Sequence, residues 1–272
     1  MKRNKNDGKM ISKIEVPVHC DFEGKITIYS IEYLVDELKV VGFIIRPKSD
    51  TKLPVLIFNR GGNCEYGKLD DERLYRLSKY ALEGYVVLAS QYRGNDGGEG
   101  KDAFGGDDVR DVFALSWLGD ELPYADKDNK VMIGHSRGGM MTYLSIKKGI
   151  DIKAAAVIGA PTNLLRRPLA FPMESVLAEL VGDFTEKRSE YCDRSALLWP
   201  DKIKTPILIQ HGDADLRVNY EDAEELVESL KKNNSEYKFI LYKDGDHALN
   251  KYEKDRDREI FDWFSLYIND KK

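Results

Sequence analysis

The chain has 272 residues, 42% hydrophobic and 33% charged, with a formal net charge of −5. That is the size and composition of one large globular domain with a buried core, and the acidic balance, with a pI near 5.6, argues against a nucleic-acid partner, which would favour a basic patch. No apolar run approaches a membrane span, and the scattered cysteines Cys20, Cys64 and Cys192 show no metal-ligand spacing and fit reduced thiols of a cytoplasmic protein.

The first ten residues are basic without an apolar core behind them, so no secretory signal is expected and 1–10 is predicted to be a mobile tail. Residues 11–272 are expected to form a single domain. Ile14, Val16 and Val18 alternate with polar or turn-prone residues, and Pro17 among them points to an edge strand. Segments 26–33 and 38–45 follow as strands in an antiparallel opening to the sheet. After Pro54 the rhythm changes. The runs 55–58, 85–89, 131–133, 154–158 and 206–210 are short and apolar, as strands buried on both faces are. A last strand lies within 237–242. Helices are predicted over 69–82, 107–118, 140–147, 220–232 and 252–268. Strands alternating with helices give an α/β fold, a mostly parallel sheet covered on both faces, with antiparallel strands at its amino-terminal side. Residues 161–204, punctuated by Pro161, Pro168, Pro172 and Pro200, are a cap-like insertion with helices at 174–181 and 191–199. It is expected beside the mouth of the site, shaping the pocket, with a packing excursion that meets no substrate as the alternative. Arg166 and Arg167 there are candidates to meet a substrate, with plain solvation as the alternative.

The chemistry centres on Gly134-His135-Ser136-Arg137-Gly138, a G-x-S-x-G pattern between an apolar run and a helix. Such a turn exposes the serine hydroxyl, and glycines leave room for both the turn and a substrate. A serine needs a base to take its proton, and the base needs an acid to orient it. In the order serine, acid, histidine, only His211 and His247 of the four histidines follow Ser136. His247 lies in a loop after the last strand. His211 opens the loop after 206–210, which offers Asp215 as the acid, and His211 is read as holding that loop. His135 is read as supporting the elbow, and His19 has no motif around it. Three alternatives stay open: Ser136 as a turn serine, His247 as a surface histidine, and Asp213 as the acid with Asp215 capping the next helix.

Acyl transfer builds charge on a carbonyl oxygen, which backbone N–H groups must already face. The Arg137 N–H, at the start of a helix, is one candidate donor. The loop Asn59-Arg60-Gly61-Gly62-Asn63 after the strand 55–58 offers the Gly62 N–H as the second, with a simple tight turn as the alternative.

Taken together, Arg60-Gly61-Gly62, the stretch Gln91-Tyr92-Arg93-Gly94-Asn95-Asp96-Gly97-Gly98, the helix start Gly105-Gly106-Asp107-Asp108, the Ser136 elbow, His211-Gly212-Asp213-Ala214-Asp215 with Arg217-Val218, and Asp246-His247 make residues 32–268 resemble the catalytic domain of the prolyl-oligopeptidase group of α/β-hydrolases. The resemblance implies Asp215 as acid, His247 as base and Gly62 as oxyanion donor. It departs in two ways. Arg60 stands where the family usually has histidine, and about fifty residues before the first buried strand are too few for the β-propeller that the peptidases carry. The expected activity is therefore serine-hydrolase cleavage of an ester or a small acyl or aminoacyl bond, on a small-molecule ester or short peptide, without cofactor or metal. The alternatives are a peptidase on short or acyl-blocked peptides and a non-catalytic binding protein on the same fold.

Overall fold

A computed structural model describes residues 1–268. In chain order the elements are β1 (Met10–Val16), β2 (Ile26–Val35), β3 (Leu38–Pro47), β4 (Leu53–Asn59), α1 (Asp71–Leu82), β5 (Val86–Ser90), α2 (Val109–Asp120), β6 (Ala125–His135), α3 (Arg137–Lys147), β7 (Ala154–Ile158), α4 (Met173–Leu180), α5 (Arg188–Asp193), β8 (Ile207–Gly212), α6 (Tyr220–Lys232), β9 (Tyr237–Tyr242) and α7 (Glu253–Ser265). Among the described residues the strands form one sheet in the order β1-β2-β3-β5-β4-β6-β7-β8-β9. The first three strands and β5 pair antiparallel; every pair from β5 through β4 to β9 is parallel. This is the α/β architecture the pattern predicts.

Side chains of a strand alternate between faces, and this sheet buries both. Val55, Ile57, Val86, Leu88 and Met132 pack with α2, α3 and α6 through Val112, Met141, Leu144 and Leu226. Leu56, Val87, Val131 and Ile133 pack on the other face with Leu74, Leu77 and Tyr80 of α1 and Ile260 and Phe264 of α7. Because the strands from β4 to β9 run parallel, the loops after Asn59, His135, Ile158, Gly212 and Tyr242 all emerge at one rim. No helix among the described residues is long and apolar enough to cross a membrane.

The amino terminus differs from the expectation. Residues 1–10 are docked rather than loose: Asp7 is buried, pairs with Arg110 and accepts the Asp36 N–H at 2.9 Å. Gly8 and Lys9 exchange backbone hydrogen bonds with Leu34 at 2.9 and 3.0 Å, and Met10 already opens β1. A segment read as a mobile tail is held by long-range ion pairs that local pattern does not show. β1 stops at Val16 because Pro17 has no N–H for the ladder. β6 begins at Ala125, earlier than its apolar run, and α5 ends at Asp193, where Ser195 Oγ donates to the Tyr191 carbonyl at 2.7 Å and accepts the Leu164 N–H at 2.9 Å.

Candidate active site

β6 ends at His135 and α3 begins at Arg137, so Ser136 alone turns the chain. It holds φ 54° and ψ −124°, a left-handed conformation that costs about 1–3 kcal/mol for a residue with a Cβ. Its N–H donates to the Ile158 carbonyl at 2.8 Å. A Cβ on Gly138 would stand 1.9 Å from the Asn59 carbonyl oxygen, so only glycine lets α3 approach the end of β4 this closely.

Asp215 and His247 come from the loops after β8 and β9. Asp215 Oδ2 accepts from His247 Nδ1 at 2.8 Å and from His211 Nε2 at 3.1 Å. Its Oδ1 accepts the N–H groups of Arg217 at 2.8 Å and Val218 at 3.0 Å. Burial works to raise this carboxyl, but the bonds from His211 and His247, the charge of His247 and the Arg217 N–H outweigh it and hold Asp215 well below the usual carboxylate range. With Nδ1 donating, Nε2 of His247 carries the lone pair. Asp213 turns elsewhere and accepts the Asp244 N–H at 2.5 Å. His211 is fully buried, and its Nε2 also lies 3.1 Å from the Val218 carbonyl, so it ties both ends of the Asp215 loop together.

His135 sits beside this arm. Its Nε2 lies 3.3 Å from the His247 carbonyl oxygen, and the two rings are 5.2 Å apart. Burial, reinforced by the neighbouring His247, pushes the His135 pKa down to about 3, so the ring stays neutral and Nε2 can donate to that carbonyl.

Ser136, Arg137, Gly62, His135 and His247 line one cavity of about 130 Å³, with Asp215 behind the imidazole. Among the described residues the imidazole of His247 bonds to Asp215 and not to the serine hydroxyl, a looseness common before substrate tightens such a site. The insertion reaches this cavity through Ala170, Phe171, Pro172, Met173 and Val176. Arg166 and Arg167 do not: Arg166 pairs with Asp222 at 2.7 Å, and Arg167 with Glu174 at 2.5 Å.

The opposite wall is built on arginines. Arg137 is buried, and its guanidinium binds Asp102 at 2.7 Å, Asp108 at 2.5 Å and the Gly62 carbonyl at 3.0 Å. Burial would strip this charge; Asp108 and Asp102 outweigh it and keep the group ionised above its usual range. Asp102 Oδ2 also accepts the Cys64 N–H at 2.9 Å. Arg60 spends its donors on backbone: Gln91 O at 2.8 and 3.1 Å, Cys64 O at 2.9 Å, and Gly61 O and Tyr66 O at 3.2 Å. Gly62 has φ 74°, and a Cβ there would meet the Tyr66 carbonyl oxygen at 2.1 Å. The Gly62 and Arg137 N–H groups donate to no protein acceptor among the described residues. In the sequence only the backbone of Arg137 carries a role, and Arg60 stands as a departure from the family pattern. The side-chain roles of both, and of Asp102, were missed; the one available signal was an arginine directly before paired glycines.

Residues 73–271 match the prolyl oligopeptidase family. The uncharacterized peptidase YtmA of Bacillus subtilis (strain 168) is 31% identical over 213 residues, which span 76% of this chain and 80% of that protein. The human acylamino-acid-releasing enzyme is 25% identical over 232 residues, 78% of this chain but 31% of its own length. Among solved structures, Pyrococcus horikoshii acylaminoacyl peptidase superposes with a TM-score of 0.72 at 21% identity, covering 90% of this chain and 41% of that one. The Pyrococcus furiosus esterase gives 0.70 at 19% identity, covering 96% and 99%. The structural likenesses show the fold, and this chain spans less than half of the longer relatives. With the family matched over most of the sequence and the sheet and elbow in place, the chain is a serine hydrolase that belongs to the prolyl oligopeptidase family and has the α/β-hydrolase fold.

Proposed function

We propose that this enzyme cleaves an ester, or a small acyl or aminoacyl bond, through Ser136, His247 and Asp215. The observation that carries the reading is the 2.8 Å bond from His247 Nδ1 to a buried, ionised Asp215, with the imidazole on the wall of the cavity that holds Ser136. His247 Nε2 takes the Ser136 proton as Oγ attacks the carbonyl carbon. The N–H groups of Arg137 and Gly62 receive the oxyanion. The intermediate then collapses, the leaving group takes the proton from His247, and the acyl group stays on Ser136. Water, losing its proton to His247, attacks the acyl-enzyme and frees the acid and the serine. Phe104, Phe171, Met173 and Val176 give the cavity apolar walls suited to a small acyl group. A fluorophosphonate probe should label the wild type and fail on Ser136→Ala; a labelled variant would refute the nucleophile. Asp215 stays charged and His135 neutral through the working range, so neither needs to change protonation for the cycle to begin.

The second reading is a peptidase on short or acyl-blocked peptides, favoured by the acylamino-acid-releasing relatives. Faster turnover of an aminoacyl p-nitroanilide than of p-nitrophenyl acetate would establish it.

A further inference from the structure

A second cavity, of about 420 Å³, continues past the imidazole. It shares His247, His135, Gly61, Arg73 and Arg217 with the first but does not reach Ser136. In the reaction above, His247 hands its proton to the leaving atom, so that atom must lie against the imidazole. The acyl group then occupies the cavity of Ser136 and the insertion, and the leaving group extends into the larger one. The chemistry of that larger wall is set by α1. Arg73 and Arg76 stand three residues apart on one face of this helix, and both line the cavity, with Leu77 and Tyr80 beside them. Arg73 is held by Asp70 at 2.9 Å, with its side chain 41% exposed. Arg76 is freer: its carboxylate partner, Glu72, lies 3.9 Å away and is 83% exposed, too loose and too hydrated to neutralise it. Asp246, the other carboxylate on the wall, is engaged by the Asn250 N–H at 2.8 Å and its amide nitrogen at 2.7 Å. An acidic protein thus presents guanidinium donors where the departing group must sit.

We propose that the preferred substrates carry a carboxylate on the leaving group, so that the product released first is a free amino acid, a short peptide acid or a hydroxy acid, gripped by Arg76 with help from Arg73. This rests on the assignment of Ser136 and His247. Two substrate pairs test it on the full chain: acetyl-Ala-Ala against its carboxy-terminal amide, and the acetyl ester of glycolic acid against that of glycolamide. For whichever bond is cleaved, kcat/KM for the acid should exceed that for the amide by about tenfold, the worth of one charge-assisted hydrogen bond at a partly exposed site. In Arg76→Gln that ratio should fall towards one, and Arg76→Lys should keep part of it. Arg73→Gln should lower the ratio less. A wild-type ratio at or below one, with the fluorophosphonate probe still labelling Ser136, overturns the carboxylate preference and spares the catalytic reading. Cleavage of neither acid, or a ratio untouched by Arg76→Gln, overturns it as well. Failure of the probe on wild type overturns the catalytic reading, and this inference with it.

Discussion

On one side of the pocket, Asp215 and His247 meet through side chains carried by two loops, and each is tied to a partner that can give or take a proton. On the other side, Gly62 and Arg137 are fixed by guanidinium groups bound to carbonyls and carboxylates. In the mechanism proposed above the two walls have different tasks. The acid–base wall must change protonation during a turnover, and imidazole does that near neutral pH. The oxyanion wall must keep its donors still while charge appears, and arginine never gives up its proton in a protein. On that proposal, the side that moves protons uses hydrogen bonds between titratable groups, and the side that receives charge is held by arginines, which do not give up their proton. Arg60 is the limiting case, since its buried guanidinium has carbonyls instead of a carboxylate partner and rests on the loop it organises.

The sharpest way to break this comparison is on the acid–base wall. Asp215→Asn keeps the size of the side chain but offers His247 Nδ1 an amide and loses the charge that stabilises the imidazolium. Turnover should fall by about 10⁴-fold with the fold intact. Stopped assays with p-nitrophenyl acetate, beside near-UV circular dichroism, measure both. A variant within tenfold of wild type would remove Asp215 from the reaction.

The oxyanion wall should fail differently. Arg137→Met leaves Asp102 and Asp108 buried without their cation, which should destabilise the fold by about 3–5 kcal/mol. Arg137→Lys keeps a charge but cannot bridge both carboxylates and the Gly62 carbonyl, so it should retain more stability than it retains turnover. Urea unfolding read against kcat separates these. If Arg137→Lys lost stability and rate in equal measure, the side chain would be a plain structural ion pair with no hold on the Gly62 loop.

Much of the sheet is legible in the sequence because buried parallel strands are short apolar runs: β7, α6 and β9 lie where periodicity puts them. The placing of Ser136, Asp215 and His247, the proposed serine, acid and base, after strands that end at one rim is legible for a similar reason. What stays hidden is what depends on contacts distant in sequence. Asp7 reads as a tail residue until Arg110, 103 positions away, is seen to pair with it. The side chains of Arg60 and Arg137 carry no role that the sequence shows, yet both are nearly inaccessible, because their partners are carbonyls and carboxylates from other loops. The choice between Asp213 and Asp215 needed the loop geometry, in which only Asp215 faces His247.

The smallest expected effect concerns His135, where the two walls meet. Its folded pKa of about 3 lies below the ordinary 6.5. The unfolded chain therefore binds a proton at this position as pH falls through 6.5, while the folded chain refuses one until about 3. Stability from this group is fully present above 6.5 and is lost progressively as pH falls from there towards 3. Between neutral pH and pH 5 the loss should be about 2 kcal/mol. His135→Gln keeps a donor for the His247 carbonyl but cannot titrate, so its stability should decline less with acid than that of wild type. Urea midpoints at the two pH values measure the difference. Parallel declines would mean that His135 accepts its proton freely in the fold, and that its ring does not hold the His247 loop as a neutral donor.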